Sequence, residues 1–254
     1  MDNKIGLYTG FGCAALLALY LKSASNNDLK NPTQDPDQDP ITLLHVNLSL
    51  VTDASQIYDL ISSEEVDVVS FQEYTPDWAQ VIPPAMDSIY KYNYTDVRID
   101  PYGKAIFSKS KMENIQIYSF DDVPNPIVEI KKNNISYKIF STYIIPPLNN
   151  ISKAKASQQL ITLANAIALS NQNIIVVGEF NQVYWSADLV KLRTKTTLLN
   201  SRKYQEPTNQ KMAYDQMFYS SPIECILFTD INDTNLVHIG CSGTFQIKHA
   251  LNPN

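Results

Sequence analysis

Short apolar runs bounded by turn residues alternate along the chain with one long helical repeat, and the two patterns outline an α/β protein. Ile41–Leu48 and Val66–Phe71 are β-branched, apolar and of strand length, with a helical stretch around Ala54–Ile61 between them. Lys104–Ser108, Ile115–Ser119, Ile127–Lys131 and Ser136–Tyr143 read as further strands, and Pro124, Pro126 and Asn133-Asn134 supply turns. In Lys153–Leu169, Ala154, Ala156, Leu160, Leu163, Ala164, Ile167 and Ala168 recur at helical spacing, which predicts the longest helix of the domain. Ile174–Gly178, Tyr214–Tyr219, Ile223–Phe228 and Thr244–Ile247 complete the strands. Hairpins mixed with crossovers predict two mixed sheets packed face to face with helices outside, a four-layer α-β-β-α sandwich.

The first residues follow another pattern. Ile5 to Leu21 carry no charge and lie between Lys4 and Lys22, a stretch that rises about 25 Å as a helix and so predicts one N-terminal transmembrane helix within residues 1–22. Gly6, Gly10, Ala14 and Ala18 recur every four positions and form a shallow ridge that lets another membrane helix approach closely. A cleaved signal peptide is the competing reading, since Ser23-Ala24-Ser25 offers small residues near a cleavage site. Residues 23–40 read as a tether: Pro32, Pro36 and Pro40 oppose helix, and Asp28, Asp35, Asp37 and Asp39 keep it solvated. Residues 41–254 form the single globular domain.

Composition narrows the partners. With 254 residues and 44% apolar content the chain can bury one large core, and a net charge of −6 gives no broad basic surface for a polyanion. Nucleic acid is therefore not expected as a partner. The local exception, Lys191 to Lys211, is read as a solvated loop, with contact to anionic lipid or an acidic partner as the alternative. Cys13, Cys225 and Cys241 make no disulfide framework, and no Cys/His group has zinc spacing; His45, His238 and His249 are scattered.

Candidate chemistry gathers at strand ends. Ile174–Val177 runs into Gly178-Glu179-Phe180-Asn181, which delivers a carboxylate and an amide from a buried strand; Leu43–Asn47, Asp67–Glu73, Gly103–Lys109, Ser141–Pro147 and Tyr214–Tyr219 form an ordered set with it. These segments resemble the endonuclease/exonuclease/phosphatase family of Mg-dependent phosphodiesterases over roughly residues 41 to 251. The resemblance implies that Glu73 is the main metal ligand and that Asn47 helps hold metal-bound water; a hard cation at a rigid strand end agrees with this. It places Tyr143 where many members carry a phosphate-contacting His, Glu179 at an acid that is Asp in the family, Asn181 at a retained Asn, and Asp215 at the acid that orients the catalytic His.

The last family segment, Ser-Asp-His-hydrophobic-Pro, aligns without a gap on Cys241–Ile247 and puts Gly243 at the Asp and Thr244 at the His. Loss of an acid/base group costs several powers of ten in rate, and the extra methylene of Glu179 displaces its carboxylate. The expectation is a membrane-anchored, catalytically inactive member of the family, a structural or accessory subunit of a membrane assembly that meets other membrane proteins through its N-terminal helix. No cofactor is expected, or Mg if active. The alternative is an Mg-dependent phosphodiesterase or phosphatase with an altered site, acting on a lipid head group or other phosphate ester. A single-pass location in the mitochondrial or a bacterial inner membrane fits the few cysteines and the anchor.

Overall fold

The protein is described by a computed structural model covering residues 2–24, 32–63, 66–170, 173–203, 208–209 and 212–248. Helix α1 (Asp2–Ala24) is followed by β1 (Ile41–Asn47), α2 (Ala54–Ser63), β2 (Val68–Gln72), α3 (Pro76–Met86), β3 (Tyr92–Asp96), β4 (Lys104–Ser108), β5 (Met112–Phe120), β6 (Val123–Lys132) and β7 (Ile135–Tyr143). Then come α4 (Asn150–Ala168), β8 (Asn173–Glu179), α5 (Ala187–Thr196), β9 (Leu199–Asn200), β10 (Asp215–Tyr219), β11 (Ile223–Asn232) and β12 (His238–Ile247).

The strands form two six-stranded sheets, ordered β11-β12-β1-β2-β4-β3 and β5-β6-β7-β8-β10-β9. Both are mixed: β1/β2 and β7/β8 run parallel, and each remaining neighbour pair is antiparallel. Three apolar layers hold the sandwich. Leu43, Val68, Ile139, Val177, Met217 and Phe245 fill the space between the sheets. Ile57, Ile61, Ile82 and Met86 of α2 and α3 pack on Leu44, Val69 and Phe71 outside the first sheet. Leu160, Leu163, Leu189 and Leu192 of α4 and α5 cover Phe140, Val176 and Phe218 outside the second. The period-2 alternation of each strand thus decides which residues see the other sheet: Leu43, His45 and Asn47 do, while Leu44 and Val46 meet helices.

Some elements depart from the sequence reading. Helix α3 forms although it contains Pro83 and Pro84, because Pro76 opens it and Ile82 and Met86 bury its inner face. The basic segment is not wholly a solvated loop: α5 carries Lys191, Arg193 and Lys195, and Arg202 is buried; Lys211 lies outside the described residues, as does His249. The last strand begins at His238, well before the predicted Thr244.

The tether is also more ordered than expected, because residues 33–40 are strapped to the domain. The backbone N–H of Asp35 donates to Gln246 Oε1 at 2.9 Å, Gln246 Nε2 donates to the Thr33 carbonyl at 3.2 Å, and Gln38 exchanges hydrogen bonds with the Ile247 backbone at 2.9 and 3.1 Å. Lys132 Nζ reaches Asp39 Oδ1 at 2.9 Å and the Pro40 carbonyl at 2.7 Å.

Helix α1 forms over the predicted segment, but among the described residues no helix is long and apolar enough to cross a membrane. Side chains of α1 are described only for residues 8–19, short of the roughly 20 apolar residues that a span takes. Within that window Tyr8, Phe11, Leu16, Leu17 and Leu19 are each more than half exposed, and Gly10, Ala14 and Ala18 are exposed too; the surroundings of Gly6 lie outside the described side chains.

Candidate active site

Parallel pairing aligns the strand ends that carry the candidate chemistry. Asn47 pairs with Gln72 across β1/β2, and Tyr143 with Glu179 across β7/β8; Asp215 sits opposite Glu179 across β10/β8. The close approach of β7 and β8 needs Gly178, whose φ of +145° and whose contact with the Thr142 carbonyl leave no room for a Cβ. One corner of the sandwich therefore collects Asn47, Glu73, Tyr143, Glu179, Asn181 and Asp215.

Asn47 links the two sheets. Its Nδ2 donates to Glu179 Oε2 at 3.0 Å, and its Oδ1 accepts from Ser49 N at 3.1 Å and Ser49 Oγ at 2.8 Å. Glu73 follows β2 in a left-handed conformation, φ 59°, which aims it back toward Asn47 and Ser49. Burial raises its pKa, its hydrogen bonds to Ser49 and Asn47 oppose the rise, and the Asp215 charge adds to it. Glu179 is pushed up to about 8 by burial and by the neighbouring charges of Asp215 and Glu73, with Lys104 and Asn47 pulling the other way. Lys104 is fully buried, donates from Nζ to Gln72 Oε1 at 2.5 Å, and is drawn down to about 7 by burial despite the Glu179 and Asp96 charges. Tyr143 is buried, its ring 5.5 Å from that of Tyr102, and burial raises its hydroxyl above the usual phenol range. Asn181, at φ 51°, turns its amide to the Ile144 carbonyl at 2.9 Å and so fixes the loop after β7.

The acid pair gives a direct test. A glutamate whose folded pKa lies above its unfolded value binds more protons in the folded state, so it lowers stability as pH rises from about 4.5 toward 8. Glu179→Gln keeps an acceptor for Asn47 and removes the charge. In metal-free buffer this variant is expected to gain about 2–4 kcal/mol over the parent at pH 9 and nothing at pH 4, measured by urea unfolding. An equal gain at both pH values would show that charge is not the cause.

Deeper in the same corner lies a network that reading by segments missed. Asp215 accepts from two histidines: His45 Nε2 on Oδ1 at 3.2 Å and His238 Nδ1 on Oδ2 at 3.2 Å. His45 Nδ1 faces Ser70 Oγ at 3.4 Å, and Ser70 Oγ meets Ser141 Oγ of the other sheet at 3.0 Å. His238 also reaches Asp230 Oδ1 with Nε2 at 3.1 Å, and Arg202 Nη1 is paired with the other oxygen of Asp230. Arg202 Nη2 donates to the Asp215 carbonyl at 2.7 Å. A ring with a carboxylate at each nitrogen must donate from both, so His238 is an imidazolium. Burial would lower its pKa, but Asp215 and Asp230 hold it up to about 9. Burial likewise works against the ionised acids, yet the two histidines keep Asp215 well below the usual carboxylate range, and His238 and Arg202 lower Asp230. Asp215, Asp230, His238 and Arg202 form a buried cluster whose formal charges cancel.

Gly243 and Thr244 stand elsewhere. Gly243 is mid-strand in β12, between Leu43 and Phe228, and Thr244 pairs with Thr42, their hydroxyls 3.3 Å apart. Of the two histidines that meet Asp215, the one on this last strand is His238 at the start of β12, followed by the hydrophobic Ile239. Between Ile231/Gly240 and Asn232/His238 the β11–β12 register slips, a bulge of the kind that re-aims a side chain: Ile239 joins the helix-side layer while His238 turns to the second sheet. In this register Leu236, Val237 and Gly240 stand where the Ser, Asp and Pro of the expected segment would be.

The fold is a two-sheet α-β-β-α sandwich, and the sequence places it in a family. The profile of the Endonuclease/Exonuclease/phosphatase family matches residues 46–231, and the chain belongs to that family. The structure is similar to D. rerio TDP2 complexed with a single-strand DNA product, with a TM-score of 0.67 at 15% identity over 82% of this chain and 100% of that one. It is similar to the human Nocturnin catalytic domain with bound sulfate, with a TM-score of 0.63 at 14% identity over 82% and 95% of the two chains. A Bacteroides thetaiotaomicron mannosyl-6-phosphatase gives a TM-score of 0.62 at 12% identity over 82% and 100%. Identities this low establish shared fold alone. No curated protein sequence matches the chain significantly.

Members of the family are typically dependent on a divalent metal, so the fit of these residues matters. Among the described residues no group of three or more His, Cys, Asp or Glu is placed to hold a metal. Glu73 and Glu179 carry the oxygen donors that would hold such an ion, and a cation would relieve their mutual repulsion; two carboxylates alone would suit a weakly held, mostly hydrated one.

Proposed function

We propose that this chain is a membrane-held member of the family whose phosphoesterase centre is closed, serving as a structural or accessory subunit of a membrane assembly. One observation carries the closed-centre reading: both ring nitrogens of His238, which faces Asp215 from the last strand, are taken by buried carboxylates. A general acid or base needs one nitrogen free to reach the reacting oxygen, and a ring held as imidazolium cannot accept a proton. Asp230 occupies that second nitrogen, and Arg202 holds Asp230 there.

Support for the membrane part comes from α1, whose described side chains are uncharged and exposed from Tyr8 to Leu19. The Gly6, Gly10, Ala14 and Ala18 ridge is its proposed contact with a neighbouring helix, in a mitochondrial or bacterial inner membrane. The second reading, a slow Mg-dependent phosphodiesterase or phosphatase acting on a lipid head group or other phosphate ester, is favoured by the convergence of Glu73 and Glu179 on Asn47. A bound divalent ion would there polarise a phosphoryl oxygen.

The expected result for the full chain, purified in mild detergent with Mg²⁺, is no hydrolysis of DNA, sphingomyelin or simple phosphodiesters above background, and co-migration with a larger membrane assembly. A hydrolysis rate abolished by Glu73→Ala would overturn the closed-centre reading. Migration as a lone chain would remove the accessory role.

A further inference from the structure

The strap and the corner that holds the candidate site lie at opposite ends of the sandwich. We infer that the corner opens away from the membrane in which α1 is proposed to lie, so that what it meets comes from the aqueous phase and not from the head groups of its own bilayer. The inference rests on the anchoring proposed above and names the source of the ligand or partner.

Strand β1 sets the geometry. Ile41 starts it opposite Phe245 of antiparallel β12, beside Gln246 and Ile247, which hold Thr33, Asp35 and Gln38. Asn47 ends it at the corner, bonded to Glu179 and level with Gln72. The rise from Ile41 to Asn47 is about 20 Å, before the loops beyond either end are added. The loop after β7 extends the corner further, and its Leu148 is 84% exposed.

Chain length then limits how the domain can sit. Helix α1 ends at Ala24 and the strapped segment starts near Thr33, and whatever path joins Ala24 to Pro32 spans at most about 28 Å. Turning the corner onto the bilayer would lift the strapped end at least about 20 Å, the length of β1, from the surface and use up most of the roughly 28 Å of available reach. With the strapped end down no such demand arises. Loss of chain freedom therefore favours the corner facing outward.

Fluorescence energy transfer decides this. The full chain with Cys13→Ser carries a donor at either Leu148→Cys, by the corner, or Ser221→Cys, an exposed turn residue before Ile223, which pairs with Ile247 at the strapped end. Cys225 and Cys241 are buried and do not compete for label. In phosphatidylcholine vesicles with head-group-labelled acceptor lipid, transfer from Ser221 is expected to exceed that from Leu148 by about twofold or more, given the separation of about 20 Å. Equal transfer, or stronger transfer from Leu148, overturns the orientation and restores the bilayer's own head groups as ligand. If the chain does not float with the vesicles, the anchoring fails, and the orientation falls with it.

Discussion

Asp230→Ala is expected to destabilise the protein by about 3–5 kcal/mol, because it strands two buried cations, Arg202 and His238, without their shared carboxylate. Asp230→Asn keeps an oxygen for one of them and is expected to cost less, about 1–3 kcal/mol. The pH dependence separates charge from packing. His238 has a folded pKa raised to about 9 from an unfolded value near 6.5, so its stabilising share is present in full below pH 6.5 and is lost as pH rises through about 9. The lowered pKa of Asp230 gives its own share above about pH 4, so the gap in urea midpoint between parent and Asp230→Ala should be widest between about pH 4 and 6.5 and narrow above pH 9. In the Asp230→Ala variant, NMR titration should find the His238 pKa displaced downward from about 9. A gap that does not change with pH would mean that Asp230 acts by shape alone, and the closed centre would lose its electrostatic basis.

The second large effect is expected at Gly243, which separates the two possible registers for the family's last segment. If Gly243 occupied the place of the family acid, Gly243→Asp would sit in the site and be tolerated. In the structure a Cβ at Gly243 would stand 2.5 Å from Met217 Sδ and 2.9 Å from the Phe245 ring, inside the layer between the sheets. Overpacking there costs about 1–3 kcal/mol, and a buried carboxylate without a partner adds several more, so Gly243→Asp is expected to lose at least about 4 kcal/mol or to give no folded protein. Val237→Asp, half-buried just before His238, should change stability by less than about 1 kcal/mol. Circular dichroism melts of both variants check this. A stable Gly243→Asp protein would return the family's acid position to Gly243.

Much of the architecture was legible from the chain alone. A run such as Ile174–Val177 reads as a buried strand, because a continuous apolar, β-branched stretch of strand length cannot stay in water. The order of the six segments identified the family, and Asn47, Glu73, Glu179 and Asp215 could be placed because each ends or begins such a run. Helix α3 was not legible, since two interior prolines, Pro83 and Pro84, oppose a helix and only the packing of Ile82 and Met86 overrides them.

The final segment shows where sequence stops. β12 begins with His238-Ile239-Gly240, and a lone histidine and a glycine at its start mask six residues of strand, so only the apolar end, Thr244–Ile247, reads as strand from sequence. Register is fixed by pairing with β1 and β11 and by a bulge, and none of these is a local property of the chain. The same holds for His45, Asp215, His238, Asp230 and Arg202, which come from β1, β10, β12, β11 and the loop after β9. Apart from Asp215, each taken singly is an ordinary polar residue. Burial makes them interdependent, because in a low-dielectric interior each charge must find its opposite. The sequence alone determined the layers and the strand-end acids; the tertiary structure decided that His45 and His238 meet Asp215, and that the second nitrogen of His238 is already taken.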